Sequence, residues 1–228
     1  MRAIVTGGAG FIGSHLVELL LKNGHKVSVL DDLSTGKLSN MPILSDFYKF
    51  DIRSDKLERI FKGDSIDWIF HLAAKASIVP SVKDPAIYHE VNVSGTLNIL
   101  QLARMLNVRK FIYAASGSCY GFPEEIPTTE NCPIRPEYPY ALTKNLGEQY
   151  VSMWGKLYGL PYVSLRLFNV FGPRMCLSGG YGGLFSTILA QKFNNKSVIT
   201  IGNGEQRRDF VHVTDVARAF VMAAESNV

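Results

Sequence analysis

The chain has 228 residues, 46% of them hydrophobic, and a formal net charge of +4, which is enough apolar sequence to bury one large core and too much for a disordered chain. Its Lys and Arg residues are dispersed, no apolar run approaches the roughly 18 residues of a membrane span, and residues 1–6 lack the basic and apolar regions of a leader, so neither a nucleic-acid nor a membrane partner is expected. The odd set Cys119, Cys132 and Cys176 forms no C-x-x-C pair and no closed disulfide framework, which favours a reducing cytoplasm.

In chain order, the apolar run 2–6 reads as a strand and leads directly into Thr6-Gly7-Gly8-Ala9-Gly10-Phe11-Ile12-Gly13. That run opens a helix over 12–22 with apolar residues at three-and-four spacing. Gly8, Gly10 and Gly13 fit G-x-G-x-x-G, and Gly7, Gly10 and Gly13 fit G-x-x-G-x-x-G. Glycine is needed in such a turn because a Cβ would block a pyrophosphate, whose charge the free N–H groups and the positive helix end receive. The second strand, 26–30, delivers Asp31 and Asp32 about twenty residues further on, where a carboxylate bonds ribose hydroxyls and repels a 2′-phosphate. Glycines alone also fit an empty tight turn, and two aspartates a solvated one. Together and in this order they predict a dinucleotide site that prefers NAD to NADP, with Asp31 the first choice of ligand.

Strands at 47–50, 67–72, 110–114 and 162–168 then alternate with helices at 54–61, 84–106 and 140–158, so an α/β fold with a parallel sheet covered on both faces is expected. After the fifth strand, Pro123, Pro127, Pro133, Pro136 and Pro139 mark an ordered, non-helical loop over the sheet's carboxyl edge. Tyr140 and Lys144 then share one face at the start of a helix. A nearby cation favours phenolate and draws a tyrosine down from its usual value near 10. With Ser116 at the end of the fifth strand to share a proton, Tyr140 reads as a general base for a hydroxyl. Each of these residues alone has an ordinary structural explanation; their placement behind a cofactor turn is what carries the reading.

On these residues the chain resembles the extended short-chain dehydrogenase/reductase family, the NAD-dependent epimerases and dehydratases of nucleotide-sugars, most closely its UDP-glucose 4-epimerase type. The matching stretches are 6–13, 31–36, 51–52, 71–74, Asn92, 116–121, 140–144, 165–174 and 208–213. The resemblance implies a Rossmann-type, doubly wound parallel sheet. Residues 1–170 would form the NAD-binding domain with the catalytic residues, and 171–228 a small, incomplete substrate-binding region. It places Gly7, Gly10, Phe11, Ile12, Gly13, Asp31, Asp32, Asp51, Ile52, Ala73, Tyr140 and Lys144 on the cofactor. Asp51 and Ile52 flank the adenine, Ala73 lies against the cofactor, and Lys144 bonds the nicotinamide ribose. Ser116, Tyr140 and Lys144 are the implied catalytic residues, and no metal is implied. Ser116, Asn169 and Arg208 face the substrate, the last two at its diphosphate, with Gly202-Asn203-Gly204 bringing Arg208 inward and Arg174 a weaker phosphate candidate. A homodimer through the helices at 84–106 and 140–158 is the family's usual assembly.

The related 4,6-dehydratases place an Asp-Glu pair directly after the catalytic Thr, and the decarboxylases that make UDP-xylose keep a Glu there; this chain has Gly117 and Ser118. The implied chemistry is therefore epimerisation, at C4 of a UDP-hexose through a 4-keto intermediate, with Tyr140 taking the 4-hydroxyl proton and Ser116 bridging. In the family's course the keto-sugar turns in the site and is reduced from its other face, so no net oxidation occurs. Another nucleotide-sugar reductase or dehydratase, and a non-catalytic dinucleotide-binding protein, are the alternatives; loss of Ser116, Tyr140 or Lys144 would have marked the last. Family members continue well past the helix that begins near Thr214, so the resemblance implies either a shortened form or a missing substrate lid; in the latter case NAD binding is expected to survive better than catalysis and 179–195 to be mobile.

Overall fold

The computed structural model describes residues 1–175, 184–197, 203, 205 and 207–227. Strands β1 (Arg2–Thr6), β2 (Lys26–Asp31), β3 (Asp46–Lys49), β4 (Trp68–His71), β5 (Lys110–Ser116) and β6 (Tyr162–Leu167) form one parallel sheet in the order β3-β2-β1-β4-β5-β6. The helices are α1 (Phe11–Lys22), α2 (Leu57–Ile60), α3 (Ile78–Lys83), α4 (Pro85–His89), α5 (Gly95–Met105), α6 (Pro139–Tyr158), α7 (Leu184–Phe193) and α8 (Val213–Glu225). Parallel pairing exposes no ladder edge on the inner strands, and the period-two alternation of side chains feeds two cores. Ala3, Val5, Val27, Val29, Phe70 and Ile112 point to the layer filled by Leu16, Val17 and Leu20 of α1 and Val216 and Phe220 of α8. Ile4, Leu30, Ile69, Phe111 and Tyr113 point to the other, against Leu57 of α2, Ile99 and Leu100 of α5 and Val151 of α6. The doubly wound sheet expected from the sequence is the fold observed, and its order reverses between β1 and β4, where a crevice opens at the carboxyl edge.

Several boundaries differ from the sequence expectation. The helix expected over 84–106 is two helices joined by a π turn at Glu90–Ser94, in which the Gly95 N–H bonds the Glu90 carbonyl five residues back. The helix expected over 54–61 contracts to the single turn α2, in which Leu57 is the buried anchor. Helix α3 is an addition: Pro80 lies in its first turn, where a missing N–H costs nothing. A second, two-stranded parallel sheet pairs β7 (Asn169–Phe171) with β8 (Phe210–His212). From β8 the chain enters α8, capped by His212, and packs on α1. The C-terminal end of α8 receives the buried Lys110 ammonium, which donates to the Ala223 carbonyl at 3.4 Å and to the Ser226 carbonyl and hydroxyl. Residues 176–183 and Gly202 and Gly204, with the expectations placed on them and on Cys176, lie outside the described residues; of the segment 179–195, residues 184–193 form α7.

Candidate active site

The crevice is built by close approach of backbone. Gly7 has φ +71°, donates its N–H to the Leu30 carbonyl at 2.8 Å, and lies so near β4 that a Cβ would stand 2.8 Å from the Ala73 nitrogen. A Cβ on Gly13 would meet the Gly7 carbonyl oxygen at 2.1 Å. Gly10 differs: apart from the Gly7 oxygen at 3.1 Å, a Cβ there meets nothing within 4 Å, so the space before the α1 N-terminus is open. Phe11 and Ile12, half-buried, begin α1, where backbone N–H groups lack intrahelical partners. These residues fit a dinucleotide diphosphate, with an open face at Gly10 and the positive end of α1 behind it.

Asp31 ends β2, 7% exposed, with one carboxylate oxygen accepting from the Ala9 N–H at 3.0 Å and the other from the Leu33 N–H at 2.9 Å. Burial raises its carboxyl above the usual range, and the two backbone donors oppose that shift. Asp32 is exposed and caps the Ser34 N–H at 2.8 Å. Asp51, held below the usual carboxylate range by the Arg53 guanidinium, lines a cavity of about 420 Å³ with Arg53, Ser54, Glu90 and Ser94. The Ile52 side chain, by contrast, is buried in the core beside Gly95, and its carbonyl accepts from the Asn98 amide at 3.0 Å. Ala73 is half-buried, and its N–H bonds the Thr6 hydroxyl at 3.1 Å.

Ser116, Tyr140 and Lys144 converge beside this crevice. Tyr140, second residue of α6, donates to Ser116 at 3.3 Å. The Lys144 ammonium, one turn later, lies 4.3 Å from the centroid of the Tyr113 ring. Gly147 permits that packing, since a Cβ there would stand 2.3 Å from the Tyr113 hydroxyl. Burial pulls Lys144 down to about 7, opposed by Glu148 one turn further along. The expected lowering of Tyr140 by Lys144 is not what the ligand-free geometry gives. Burial raises the Tyr140 phenol and the Ser116 hydrogen bond opposes this, while the Lys144 ammonium lies over the Tyr113 ring. Glu148 is tied to Arg166 of β6 at 3.0 Å, and Arg166 donates to the Tyr120 hydroxyl at 2.7 Å.

The residues expected at the substrate are less gathered. Asn169 begins β7, exposed, and bonds the Asp209 carbonyl at 3.0 Å. Arg208 is exposed, with its guanidinium on the Arg207 carbonyl at 2.7 Å. Arg174, at φ +67°, binds Ser14 at 3.1 Å and Glu18, both on α1. Sequence reasoning matched Asn92 without a role for it: from within the π turn its buried amide bonds the Lys75 N–H at 2.8 Å, the Lys75 carbonyl at 3.0 Å and the Thr143 hydroxyl at 3.0 Å. It thereby joins the loop after β4 to α6. A buried Asn four residues before Thr96 on an otherwise apolar helix face was the available signal.

Among the described residues no helix is long and apolar enough to cross a membrane, and no cluster of His, Cys, Asp and Glu is placed to hold a metal ion. The sequence model of the NAD dependent epimerase/dehydratase family matches residues 3–228. The chain is 41% identical over 231 residues to a UDP-glucose 4-epimerase of Mycolicibacterium smegmatis, covering 98% of this chain and 73% of that one. Its fold is similar to a UDP-glucose 4-epimerase of Thermotoga maritima solved with UDP-glucose, with a TM-score of 0.94, 39% identity, and 98% and 73% of the two chains covered. It is also similar to the Thermus thermophilus UDP-glucose 4-epimerase solved with NAD, with a TM-score of 0.92, 42% identity, and 99% and 75% covered.

Proposed function

Because this chain belongs to the NAD dependent epimerase/dehydratase family, we propose that it interconverts the C4 epimers of a UDP-hexose with NAD as resident cofactor. The observation that carries the reading is the Tyr140–Ser116 contact of 3.3 Å beside the glycine crevice. In this reading Gly7, Gly10, Phe11, Ile12 and Gly13 receive the diphosphate of NAD, Asp31 with Asp32 takes a ribose, and Asp51 with the backbone of Ile52 borders the adenine. Ala73 packs against the cofactor and Lys144 bonds its second ribose. When bound, the nicotinamide supplies a cationic ring that accepts and returns hydride.

Tyr140, as a phenolate held by the Ser116 hydroxyl, takes the proton of the sugar 4-hydroxyl. A Tyr140 phenolate favours the charged form of Lys144, since a negative oxygen nearby offsets the cost of burying the cation. A 4-keto sugar results, and the Tyr140 phenol returns the proton when the keto group is reduced from its other face. Gly117 supports epimerisation over elimination. Its Cβ position is 2.7 Å from the Phe168 ring, so no carboxylate fits there, and Ser118 follows. Asn169 and Arg208 hold the substrate diphosphate, within a substrate-binding part at 171–228 beside an NAD-binding domain at 1–170. Exposed Leu142, Met153 and Leu157 on α6 support a homodimer through α6 and the 84–106 helices, and the free thiols of Cys119 and Cys132 suit a reducing cytoplasm. The test is incubation of the purified chain with NAD and a panel of UDP-hexoses, with chromatography of the C4 epimers. Formation of the epimer only with NAD supports the reading, and cofactor binding without any epimer contradicts it.

A further inference from the structure

We propose that Ser118 and Tyr138 extend the Ser116–Tyr140 pair into a relay of four hydroxyls, and that they are positioning residues which hold Ser116 as a donor to the Tyr140 oxygen. The proposal rests on the reading of Tyr140 as the base.

Two pairs of residues, each made of the residue that precedes a helical turn and the second residue inside it, face one another. Ser116 closes β5 with extended backbone, φ −142° and ψ 134°, and Tyr138 precedes α6 at φ −151° and ψ 161°. An N-cap side chain folds back over the first turn it opens, and Ser116 does so over the turn Gly117–Tyr120, accepting the Ser118 N–H. Ser116 and Ser118 have their hydroxyl oxygens 2.8 Å apart. Tyr138 and Tyr140, with Pro139 fixed between them, stack with ring centroids 6.5 Å apart and planes within 12°. The Tyr140 phenol bonds Ser116 at 3.3 Å, and burial raises the Tyr138 phenol while its contact with the Ser118 hydroxyl opposes that shift. The order of contacts is Tyr138, Ser118, Ser116, Tyr140. Gly117, between the two serines, lies against the Phe168 ring, where a Cβ would stand 2.7 Å from it.

Counting donors fixes what this arrangement does. A hydroxyl has one proton to give and two lone pairs to fill. Ser116 accepts the Ser118 N–H at 3.2 Å, and when it also accepts the Ser118 hydroxyl proton, its own proton has Tyr140 as its remaining partner. Ser118 points its proton to Ser116 when its oxygen receives the proton of Tyr138. The phenol of Tyr138 is thus the end donor that sets the direction of the whole row toward a Tyr140 phenolate. When Tyr140 takes a proton from a sugar hydroxyl it becomes a donor, and the row reverses. The Tyr140 O–H bond forms, the sugar O–H bond breaks, and the other three hydroxyls only rotate, so no co-reactant is consumed. Such rows polarise one another and strengthen as a unit.

The experiment uses the full chain with NAD and UDP-galactose, comparing Ser118→Ala, Tyr138→Phe, the double variant and Ser118→Thr. Loss of one neutral hydrogen bond corresponds to about a fivefold fall in kcat. We expect that fall in each single variant, with KM for the nucleotide-sugar unchanged. Members of one row are not additive, so the double variant is no slower than the slower single one. Ser118→Thr, which keeps the hydroxyl, retains kcat. Unchanged kcat in both single variants, effects that multiply in the double variant, or a change in KM alone overturns the relay. Failure of the parent reading looks different: the unmodified chain then makes no epimer. In that case the relay is read from the Tyr140 phenol itself, as the tyrosinate absorbance lost in Tyr140→Phe. Ser118→Ala raises the midpoint of that titration if the row exists, and an unmoved midpoint overturns it. This replacement changes no charge among the groups around Tyr140, namely Tyr88 on α4, Tyr113 on β5 and Tyr138 before its own helix.

Discussion

Thr6 Oγ1 and His71 Nδ1 lie 2.7 Å apart, both buried at the carboxyl ends of the neighbouring strands β1 and β4. The Thr6 oxygen also accepts the N–H groups of Leu72 at 3.2 Å and Ala73 at 3.1 Å. On its other side, His71 Nε2 meets Thr96 at 2.9 Å, and Thr96 gives its proton to the Asn92 carbonyl at 2.7 Å. The Thr96 oxygen therefore takes the Nε2 proton, and Nδ1 accepts from Thr6. A neutral imidazole thus links the cofactor turn to the π turn.

His71→Leu leaves Thr6 and Thr96 without that partner in the core and is expected to cost about 2 kcal/mol. Burial first, and the Lys144 charge second, pull His71 down to about 3, below its ordinary 6.5. The folded state then binds fewer protons than the unfolded one between these values. The stability His71 contributes is present above pH 6.5 and is lost as pH falls toward 3. Urea unfolding from pH 7 to 4 checks this: the variant starts less stable and has the shallower acid decline, and parallel curves would contradict the assignment.

Gly13→Ala pushes a methyl to within 2.1 Å of the Gly7 oxygen. Either α1 or the glycine turn must move, at about 1–3 kcal/mol. NAD affinity, by calorimetry, should fall at least tenfold, and the melting temperature should fall with it.

Lys144, 5% exposed, has a folded value of about 7 against an ordinary 10.5. Below pH 7 both states are protonated and the cost of burying the cation is at its fullest. Between about 7 and 10.5 the folded state releases its proton first, so stability of the ligand-free protein rises with pH, by at most about 1.4 kcal/mol per unit. Lys144→Met removes that rise, as denaturant melts at pH 7 and pH 9 would show.

Arg174→Ala should leave KM for the nucleotide-sugar within about twofold, because its guanidinium holds Ser14 and Glu18 on α1. Its effect belongs to stability, about 0.5–1 kcal/mol for a partly exposed ion pair. A tenfold rise in KM would restore Arg174 to the phosphate site.

What the sequence made legible was local and periodic. The glycine run, Asp31 after its strand, and the four-residue spacing of Tyr140 and Lys144 all follow from the geometry of adjacent elements. What it hid depends on partners far along the chain. The pairing of Asn169–Phe171 with Phe210–His212 joins segments about forty residues apart. The π turn that aims Asn92 is indistinguishable from α-helix in apolar spacing. Arg174, the weaker phosphate candidate of the resemblance, has a left-handed backbone and holds Ser14 and Glu18 of α1, contacts that no local pattern announced. The Lys144 cation was expected to act on Tyr140, and the packing allowed by Gly147 places it on Tyr113.

The most direct test is the epimer formed from UDP-galactose carrying deuterium at carbon 4, in the unmodified chain and in Tyr140→Phe. The account predicts UDP-glucose that keeps the deuterium at carbon 4, and a loss of at least a hundredfold in rate in the variant, the lower range for a general base. Deuterium lost to water, or a Tyr140→Phe enzyme as fast as its parent, would contradict it.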